Sequence, residues 1–292
     1  MKRLFALVLL VLIPLSQVFS QQEKINLIVF GAHPDDCDGR AGGTAIEFAK
    51  RGHNVLFVSV TNGDAGHFDK GGPPLANIRK LESQEAGNRF GVKYLVLDNH
   101  DGRLMPTLEV RDQVIRLIRQ WNADIVIVHR PNDYHPDHRY TSVLVQDAAY
   151  MVIVPDIVPD TPPLKKNPVF LYMEDRFVKP QPFSPDIVID ITDSWDQKMY
   201  AMSAHVSQFF EWLPWTSGKL DQVPQDVAAR LEWLKKNRGP GQISEEKRKA
   251  LIKWYGAERG NKARIAESFE ICEYGRKPSD AEIKQLFPMM IK

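Results

Sequence analysis

Short, continuous apolar segments alternate with helix-like segments between residue 25 and about residue 130. The apolar segments read INLIVF, NVLFVSVT, YLVLD and DIVIVH, and the sequences between them have apolar residues at helical spacing or end at Gly. Strands that are apolar throughout, instead of alternately apolar and polar, are typical of a sheet buried on both faces. Four successive β-then-α units therefore predict an α/β fold with a doubly wound, mostly parallel (Rossmann-like) sheet and right-handed crossovers.

The remainder of the chain is less regular, and we interpret it as part of the same domain. PVFLYM, PDIVIDIT and ESFEICEYG have the composition of further strands, and SWDQKMYAMSAHVSQFF that of a helix. Residues from about 213 to 266 are charged, contain Trp and are expected to form a helical C-terminal elaboration, as a lid or a side layer. No segment has the character of a linker, so residues 21–292 are predicted to form a single domain.

The first 20 residues, MKRLFALVLLVLIPLSQVFS, have the pattern of a signal peptide. A basic start precedes an apolar stretch, and VFS before Gln21 is the small-residue pattern that a signal peptidase cleaves. An uncleaved membrane anchor is the alternative, but the apolar core is shorter than the ~20 residues of a membrane span. We therefore expect an exported protein, periplasmic or extracellular, with no stable membrane insertion after processing.

The charges and cysteines of the chain limit its partners further. Lys and Arg number 38 and Asp and Glu 37, so no excess of positive charge favours nucleic acid or an anionic membrane. Cys37 and Cys272 could pair in an exported protein, but Cys37 lies inside a polar motif, which favours free thiols. We therefore expect no nucleic-acid partner and no disulfide.

Polar side chains collect in three loops that follow predicted strands: AHPDDCDG, TNGDAGH and HRPNDYHPDHR. In an open parallel sheet, ligands bind beyond the carboxyl ends of the strands, where these loops converge. Five of the eight histidines lie in or beside the loops, and imidazoles together with carboxylates suit zinc. The candidate residues are His33, Asp35, Asp36, Asp64, His67, His135, Asp137 and His138.

Helix capping is the structural alternative for each of these motifs. An Asp of AHPDD could accept backbone N–H bonds as an N-cap, and Pro136 could occupy the first position of a helix. Capping does not explain why two His-containing clusters lie at the same edge of the sheet. The two clusters together therefore predict a metal site.

Six motifs occur in order between about residue 26 and residue 210: AHPDD, AGGT, RKLESQEAGNRFGV, DGRL, HPDHR and KMYAMSAHVSQF. Together they resemble the PIG-L/LmbE-like family of zinc-dependent N-acetylglucosaminyl deacetylases. One departure is that Cys37 follows the Asp pair where the family usually has Glu. That position is usually counted as supporting the site, so the departure bears on the surroundings of the metal more than on its ligands.

The resemblance implies one zinc ion (Zn²⁺) per chain with three ligands: His33, Asp36 and His138. It also implies that Asp35 is the general base, which completes the deprotonation of a water whose pKa zinc has lowered towards ~7. His135 would stabilise the tetrahedral oxyanion, and Asp137 would orient His135.

The resemblance and the loops also suggest substrate-binding residues. Arg79 matches the family's substrate-facing Arg, a partner for sugar hydroxyls or phosphate, and a surface Arg paired within its own helix is the alternative. His205 matches the family's late His, for which a structural hydrogen bond is the alternative. Asp64 and His67 are either loop-shaping or substrate-facing. The aromatic residues of FFEWLPW either pack in the core or stack on a sugar.

These features predict an exported zinc hydrolase that removes the acetyl group from the nitrogen of an N-acetylglucosamine-containing sugar. A zinc hydrolase of another amide or ester, and a non-catalytic sugar-binding protein on the same fold, are the alternatives. Retention of Asp35 and His135 argues against binding alone, which needs neither a base nor an oxyanion partner. The predicted partner is a small-molecule or oligosaccharide amino sugar, and a homo-oligomer stays open.

Overall fold

The computed structural model of the chain describes residues 23–291 and contains a seven-stranded sheet. In chain order the strands are β1 (Asn26–Gly31), β2 (Asn54–Thr61), β3 (Lys93–Asn99), β4 (Ile125–Val128), β5 (Val169–Met173), β6 (Ile187–Asp190) and β7 (Ala266–Gly275). Their order across the sheet is β3-β2-β1-β4-β5-β7-β6. Strands β1 to β5 are parallel, whereas β7 is antiparallel to both of its neighbours. The predicted α/β class with a mostly parallel sheet is confirmed.

Helices flank this sheet, and the first four alternate with strands as predicted. In chain order they are α1 (Asp36–Lys50), α2 (Gly72–Phe90), α3 (Leu108–Gln120), α4 (Pro136–Met151), α5 (Trp195–Met202), α6 (Leu213–Thr216), α7 (Val227–Asn237), α8 (Glu245–Tyr255), α9 (Ala257–Lys262) and α10 (Asp280–Leu286). The predicted helical elaboration contains α6 to α9, and ESFEICEYG belongs to β7. Within residues 23–291, no helix has both the length and the apolar character needed to cross a membrane. The signal peptide predicted for residues 1–20 lies outside the described residues.

Apolar side chains fill a layer on each face of the sheet. Val29 belongs to the layer beneath α1, α2 and α5, whereas its neighbour Phe30 belongs to the layer beneath α3 and α4. All 4 residues of β4 are buried. The continuous apolar strands are therefore buried on both faces, as their sequences predict.

The AGGT motif lets α1 lie close to its neighbours. A Cβ added to Gly42 would lie 2.7 Å from the ring of Phe90, and one added to Gly43 would lie 2.6 Å from the side chain of Ile191. Both distances are too short for non-bonded carbon atoms, so a larger residue would force either the helix or these packed side chains to move. The two glycines thus fix α1, and with it the candidate residues at its start.

The helix predicted for residues 194–210 is interrupted in the structure. α5 ends at Met202, and a π-helical turn from Ser207 to Trp212 continues directly into α6. The interruption brings His205 against α1 and Gln208 against Asp35. Helix propensity in this segment therefore gives way to tertiary contacts.

The loops after β1 and β4 adjoin at the centre of the sheet. The chain passes from β1 to β2 and β3 on one side and then to β4 on the other, so the strand order reverses between β1 and β4. Ligands of open α/β sheets bind in the crevice at such a switch point. The N–H of Ala32, after β1, donates a hydrogen bond to Nε2 of His129, after β4, at 3.1 Å. The motifs AHPDDCDG and HRPNDYHPDHR are these two loops.

Candidate metal centre and active site

Three donor atoms from the two central loops form a nearly equilateral triangle. Nδ1 of His33 lies 3.4 Å from Oδ2 of Asp36 and 3.3 Å from Nε2 of His138. The third side, from Asp36 Oδ2 to His138 Nε2, is 3.5 Å. The structure thus brings together the three residues that the family resemblance implies as zinc ligands, and we call this set the donor triangle.

The donor triangle has the size that a tetrahedral metal site requires. When metal–ligand bonds are about 2.0–2.1 Å, neighbouring ligand atoms in a tetrahedral zinc site lie about 3.3–3.4 Å apart. Two imidazoles and a carboxylate are also donors that zinc accepts. The residues present therefore fit a metal ion held by three protein ligands, the number typical of catalytic zinc sites.

Carboxylates outside the triangle hold both imidazoles. Nε2 of His33 faces away from the triangle and lies 3.2 Å from Oδ1 of Asp101 and 3.3 Å from Oδ2 of Asp137. Nδ1 of His138 lies 3.0 Å from Oδ1 of Asp133. A carboxylate at the outer nitrogen fixes the tautomer that leaves the inner nitrogen available to a metal. The sequence prediction missed Asp101 and Asp133, whose only signal is their position in the motifs DGRL and RPNDYHPDH.

Asp35 lies beside the donor triangle in the wall of the same cavity. Burial and the charge of Asp36 raise the pKa of Asp35, although positive charges nearby oppose the increase. Its Oδ2 accepts a hydrogen bond from Nε2 of Gln208 at 3.3 Å. Asp35 directly precedes α1, but its side chain makes no capping hydrogen bond. The capping alternative is therefore wrong for this residue, whose raised pKa suits a proton acceptor.

His135 is the N-cap residue of α4 and also faces the site. Its Nδ1 accepts a hydrogen bond from the backbone N–H of Asp137 at 3.2 Å, and its ring meets that of His33 edge-on at 4.5 Å between centroids. Burial lowers the pKa of His135, so the neutral ring is favoured. In that ring Nε2 carries the proton and is the available donor. Pro136 is the first residue of α4, so the helix-entry interpretation of HPDH is confirmed and is compatible with a site.

The carboxylate of Asp137 does not orient His135, contrary to the expectation from sequence. It is fully buried, and it accepts hydrogen bonds from the backbone N–H groups of Gly102 at 2.7 Å and Leu104 at 3.3 Å. The same carboxylate faces His33. Asp137 therefore joins the DGRL loop to His33, and only its backbone N–H reaches His135.

His129 lies behind Asp36 and is a third residue that the sequence prediction missed. Its Nε2 lies 3.3 Å from Oδ2 of Asp36 and accepts the hydrogen bond from Ala32. Burial, together with the charge of His138, lowers the pKa of His129 to about 4, so its ring is neutral. Because Nε2 already accepts a hydrogen bond, we place His129 behind the triangle and not among the donors.

Arg79 and Asp64 are both predicted to contact substrate, but in the structure both contact other parts of the protein. Arg79 is only 2% exposed and donates to the carbonyl of Gly66 at 2.7 Å, while its Nε has no partner among the described residues. It is therefore not the surface Arg of the alternative. Asp64 uses both carboxylate oxygens within the protein, with Nδ1 of His100 at 2.6 Å and with the N–H of Asp101 at 3.0 Å. Asp64 therefore shapes the loop that carries Asp101, and the structure does not support its contact with substrate.

His205, also predicted as a substrate-binding residue, is fully buried and out of reach of a substrate. Its Nε2 lies 2.8 Å from Oδ1 of Asp38, and Oδ2 of Asp38 accepts the hydroxyl of Tyr94 at 2.9 Å. The structure therefore supports the alternative of a structural hydrogen bond. Phe209 and Phe210 of FFEWLPW likewise pack in the core.

Cys37, which departs from the family pattern, faces the sheet and not the donor triangle. Its Sγ lies 3.4 Å from the carbonyl of Val29 and 3.7 Å from that of Val58. Burial raises the pKa of Cys37 well above its usual value, so the thiol stays protonated. Cys37 and Cys272 are both buried and unpaired, which agrees with the predicted free thiols.

A cavity of ≈ 400 Å³ opens over the donor triangle. Its volume lies in the usual range for small-molecule sites. Besides the donor residues and Asp35, the groups that line it include Tyr134, Phe177, Gln208, Phe209 and Leu213. We call this space the catalytic cavity.

The fold and the donor triangle define an α/β protein that can hold a metal ion at the carboxyl edge of its sheet. The PIG-L family model, described as GlcNAc-PI de-N-acetylase, matches residues 28–149, which include all three donor residues. A probable N-acetyl-α-D-glucosaminyl L-malate deacetylase 2 from Bacillus cereus is 30% identical over 227 residues, 73% of this chain and 94% of that relative. The chain belongs to the PIG-L/LmbE-like deacetylase family.

Other relatives resemble the chain in sequence and structure. Diacetylchitobiose deacetylase of Thermococcus kodakarensis is 29% identical over 214 residues, 69% of this chain and 76% of that relative. The structure of N,N'-diacetylchitobiose deacetylase from Pyrococcus horikoshii, complexed with its inhibitor MPG, has a TM-score of 0.62 and 25% identity, covering 84% of this chain and 83% of that one. A 4-oxalmesaconate hydratase of Pseudomonas putida is 24% identical over 208 residues, 68% of this chain and 80% of that relative. Similar chains thus catalyse more than one reaction, so the reaction of this chain depends on the groups in its site.

Proposed function

We propose that this protein is a zinc-dependent deacetylase that removes the N-acetyl group from an N-acetylglucosamine-containing sugar, with one zinc ion per chain. The observation that carries the proposal is the donor triangle of His33, Asp36 and His138 with Asp35 beside it. The similar deacetylases support the choice of substrate, since diacetylchitobiose and N-acetyl-α-D-glucosaminyl L-malate are both N-acetylated amino sugars.

The proposed reaction is hydrolysis of the C–N bond of the acetamide group. When bound, zinc lowers the pKa of a water molecule and polarises a carbonyl group. Asp35 takes the proton of the attacking water, a role that suits its burial and raised pKa. The same proton then passes to the amide nitrogen as the C–N bond breaks, so the products are acetate and the free amino sugar.

Two further residues assist in this proposal. Nε2–H of His135 donates to the acetamide oxygen as negative charge develops there, because Nδ1 already accepts the N–H of Asp137. Arg79 is buried and does not line the catalytic cavity, so its proposed part is indirect: it holds the loop at Gly66, and its charge acts on Asp35. His135 thus stabilises the negative charge that develops on the substrate. Neither His135 nor Arg79 replaces Asp35 as the base.

The alternatives differ from the proposal in what they require of the site. A protein that only binds sugar does not need a buried carboxylate of raised pKa beside three converging donor atoms. Hydrolysis of another amide or ester needs the same groups, and a hydratase is among the relatives. A comparison of substrates therefore separates the proposed deacetylation from sugar binding without catalysis and from hydrolysis of another amide or ester.

Acetate release from a panel of substrates tests the proposal. The zinc-loaded protein is assayed with N-acetylglucosamine, diacetylchitobiose, an N-acetyl amino acid and a simple acetyl ester. We expect acetate from the amino sugars. Turnover of the amino acid or the ester alone would contradict the substrate assignment, and no acetate from any compound would contradict deacetylation.

Substitution of Asp35 tests the proposed base. Asp35→Asn changes the charge but hardly the shape, so zinc should stay bound while kcat for acetate release falls by about 10²- to 10⁴-fold. The matched control is Asp147→Asn, which removes the same charge from an exposed position on α4 and should keep wild-type kcat. Full activity of Asp35→Asn on the best substrate would show that the mechanism is wrong.

We also propose that the protein is exported to the periplasm or the extracellular space. The support is the signal-peptide pattern of residues 1–20. Mass spectrometry of the protein from its native host should find a mature chain that begins near Gln21. An intact Met1 in the membrane fraction would instead support the anchor alternative.

A further inference from the structure

A row of four stacked rings lies beside the candidate active site. Neighbouring ring centroids are 4.4 Å apart for His67 and Phe68, 5.4 Å for Phe68 and Trp215, and 5.2 Å for Trp215 and Trp212. The angles between neighbouring planes are only 24°, 20° and 17°, so each ring is nearly parallel to the next. We call these four residues the aromatic row.

The two middle rings of the aromatic row are open to solvent. Phe68 is 41% exposed and Trp215 is 48% exposed, whereas Phe209 and Phe210 just before them in the chain pack in the core. Parallel rings at the two longer centroid distances are offset and overlap only in part, so each ring keeps some of its face uncovered. Apolar groups that are exposed together are one mark of a ligand-binding surface.

The indole N–H groups of the aromatic row are free to donate a hydrogen bond. Trp121 and Trp254, elsewhere in the protein, donate theirs to backbone carbonyls at 2.9 and 2.8 Å. The N–H groups of Trp212 and Trp215 have no acceptor in the part of the chain that the structure describes. The row therefore combines uncovered ring faces with two unused donors, which suits a ligand that has both C–H faces and hydroxyl groups.

Hydrogen bonds within the protein hold the aromatic row in place. Nδ1 of His67 accepts the N–H groups of Asp69 at 3.1 Å and Lys70 at 3.2 Å, so Nε2 carries the proton. That Nε2 lies 2.9 Å from Oε2 of Glu211, and Nζ of Lys70 lies 2.6 Å from the same oxygen. These bonds join the loop after β2 to the π-helical turn, so the rings of both segments stay stacked. A surface that is already ordered loses little entropy when a ligand binds.

The aromatic row adjoins the catalytic cavity without lining it. None of its four residues is in the wall of that cavity, but Leu213, which follows Trp212 in the chain, is. On the other side, Gly66 separates Trp212 from Asp101, since a Cβ added there would lie 3.9 Å from the indole Nε1 and 3.1 Å from the carboxylate Oδ2. Asp101 in turn faces His33 of the donor triangle. A single sugar over the donor triangle therefore does not reach the row, whereas a chain of sugars that leaves the cavity beside Leu213 meets it.

We propose that the aromatic row binds further sugar units of an N-acetylglucosamine oligosaccharide while one unit lies over the donor triangle. This inference rests on the proposed function and makes its substrate class narrower. The C–H groups on the face of a sugar ring carry a slight positive charge and pack on the negative face of an aromatic ring, while sugar hydroxyls accept the indole N–H groups. Stacking also removes apolar surface from water. A monosaccharide is too short to make these contacts.

Kinetics with amino sugars of different chain length test the inference. kcat/KM for acetate release, expressed per acetamide group, is measured with N-acetylglucosamine, diacetylchitobiose and the tetramer of N-acetylglucosamine with the same linkage. We expect the tetramer to exceed the monomer by about tenfold or more, since each of two ring contacts contributes about threefold or more and the factors multiply.

Removal of single rings locates the effect. Phe68→Ala and Trp215→Ala should each lower the tetramer-to-monomer ratio of kcat/KM by about three- to tenfold, mainly through KM. Trp215→Phe keeps a ring without the N–H group and should recover part of the loss. The matched control is Tyr150→Ala, which removes a ring that is 67% exposed on α4 and should leave the ratio unchanged. Zinc content and thermal melting of each variant show whether it is folded.

Binding separates failure of the inference from failure of the proposed function. Calorimetry with zinc-loaded Asp35→Asn protein measures the affinity for the tetramer and the monomer without turnover. Tetramer binding that depends on Trp215, without acetate release from wild type, would support the inference and overturn deacetylation. Acetate release with no preference for the tetramer, or equal losses for monomer and tetramer in the ring variants, would overturn the inference and leave deacetylation standing. Should sedimentation find a dimer that Trp215→Ala dissociates, with no effect of chain length, a second copy of the chain occupies the row and the inference is overturned.

Discussion

At the scale of single residues, the pair formed by His138 and Asp133 explains how a loop presents a metal donor. Nε2 of His138 points into the donor triangle, and Nδ1 lies 3.0 Å from the Asp133 carboxylate. Asp133 also accepts the backbone N–H of His135 at 3.0 Å, so the same carboxylate fixes the start of α4. One acidic residue therefore lies against the outer nitrogen of His138 and also holds the backbone at the start of the helix that carries it.

Zinc affinity should depend on both members of this pair. His138→Ala removes a donor atom and should abolish zinc binding and activity together. Asp133→Asn keeps the shape but loses the charge, so we expect zinc affinity to fall by about 10- to 100-fold. Elemental analysis and competition with a chelator measure both effects, with Asp147→Asn as the control. Full zinc occupancy in His138→Ala would rule out the proposed ligand set.

The sequence indicated the members of the donor triangle but not the residues that hold them. His33, Asp36 and His138 stand in motifs at the ends of two strands, and the strand pattern alone predicts that these ends meet. Asp133 and Asp101 are single carboxylates in polar loops, and their position in the motifs RPNDYHPDH and DGRL does not show what they contact. Their roles depend on distances across the fold, which a single sequence does not contain. The roles of the triangle itself stay predictions until metal binding is measured.

At the scale of elements, the π-helical turn after α5 connects the C-terminal half of the chain to the candidate base. Single π-helical turns often occur at functional sites because the extra residue changes the direction of a side chain. Here Ser207 bonds to Glu82 of α2 through its N–H at 2.8 Å and its hydroxyl at 2.6 Å. The next residue, Gln208, donates to Asp35 at 3.3 Å. A regular helix, as predicted from sequence, would not place both residues in these contacts.

Gln208 should act as a positioning residue for Asp35. Gln208→Ala removes a hydrogen bond to a charged group, so we expect kcat to fall by about 10- to 100-fold with zinc retained and KM nearly constant. Gln208→Asn, with the same amide on a shorter side chain, should recover little. Gln225→Ala at an exposed position is the control. An unchanged kcat in Gln208→Ala would show that Asp35 needs no support from this turn.

At the scale of the whole molecule, the last strand connects the C-terminal elaboration to the parallel core. β7 lies between β5 and β6, so residues near the end of the chain complete the sheet. The buried carboxylate of Glu267 in β7 accepts the N–H groups of Gly43 and Thr44 in α1 at 2.9 and 2.7 Å, and it pairs with Lys198 of α5 at 2.7 Å. The sequence predicted this strand from its apolar pattern, but its place between β5 and β6 depends on long-range pairing that local patterns do not specify.

This arrangement predicts that residues 21–292 unfold as a single cooperative unit, as expected for one domain. Glu267→Gln would leave the buried Lys198 charge without its partner, which typically costs about 3–5 kcal/mol. In a chain of this size, we expect a decrease in Tm of roughly 5–15 °C in one calorimetric transition. Glu273→Gln, on an exposed position of the same strand, is the control and should keep the wild-type Tm. If instead only one of two separate transitions moves in Glu267→Gln, the chain does not unfold as a single unit, because a contact shared by α1, α5 and β7 would then destabilise only a part of it.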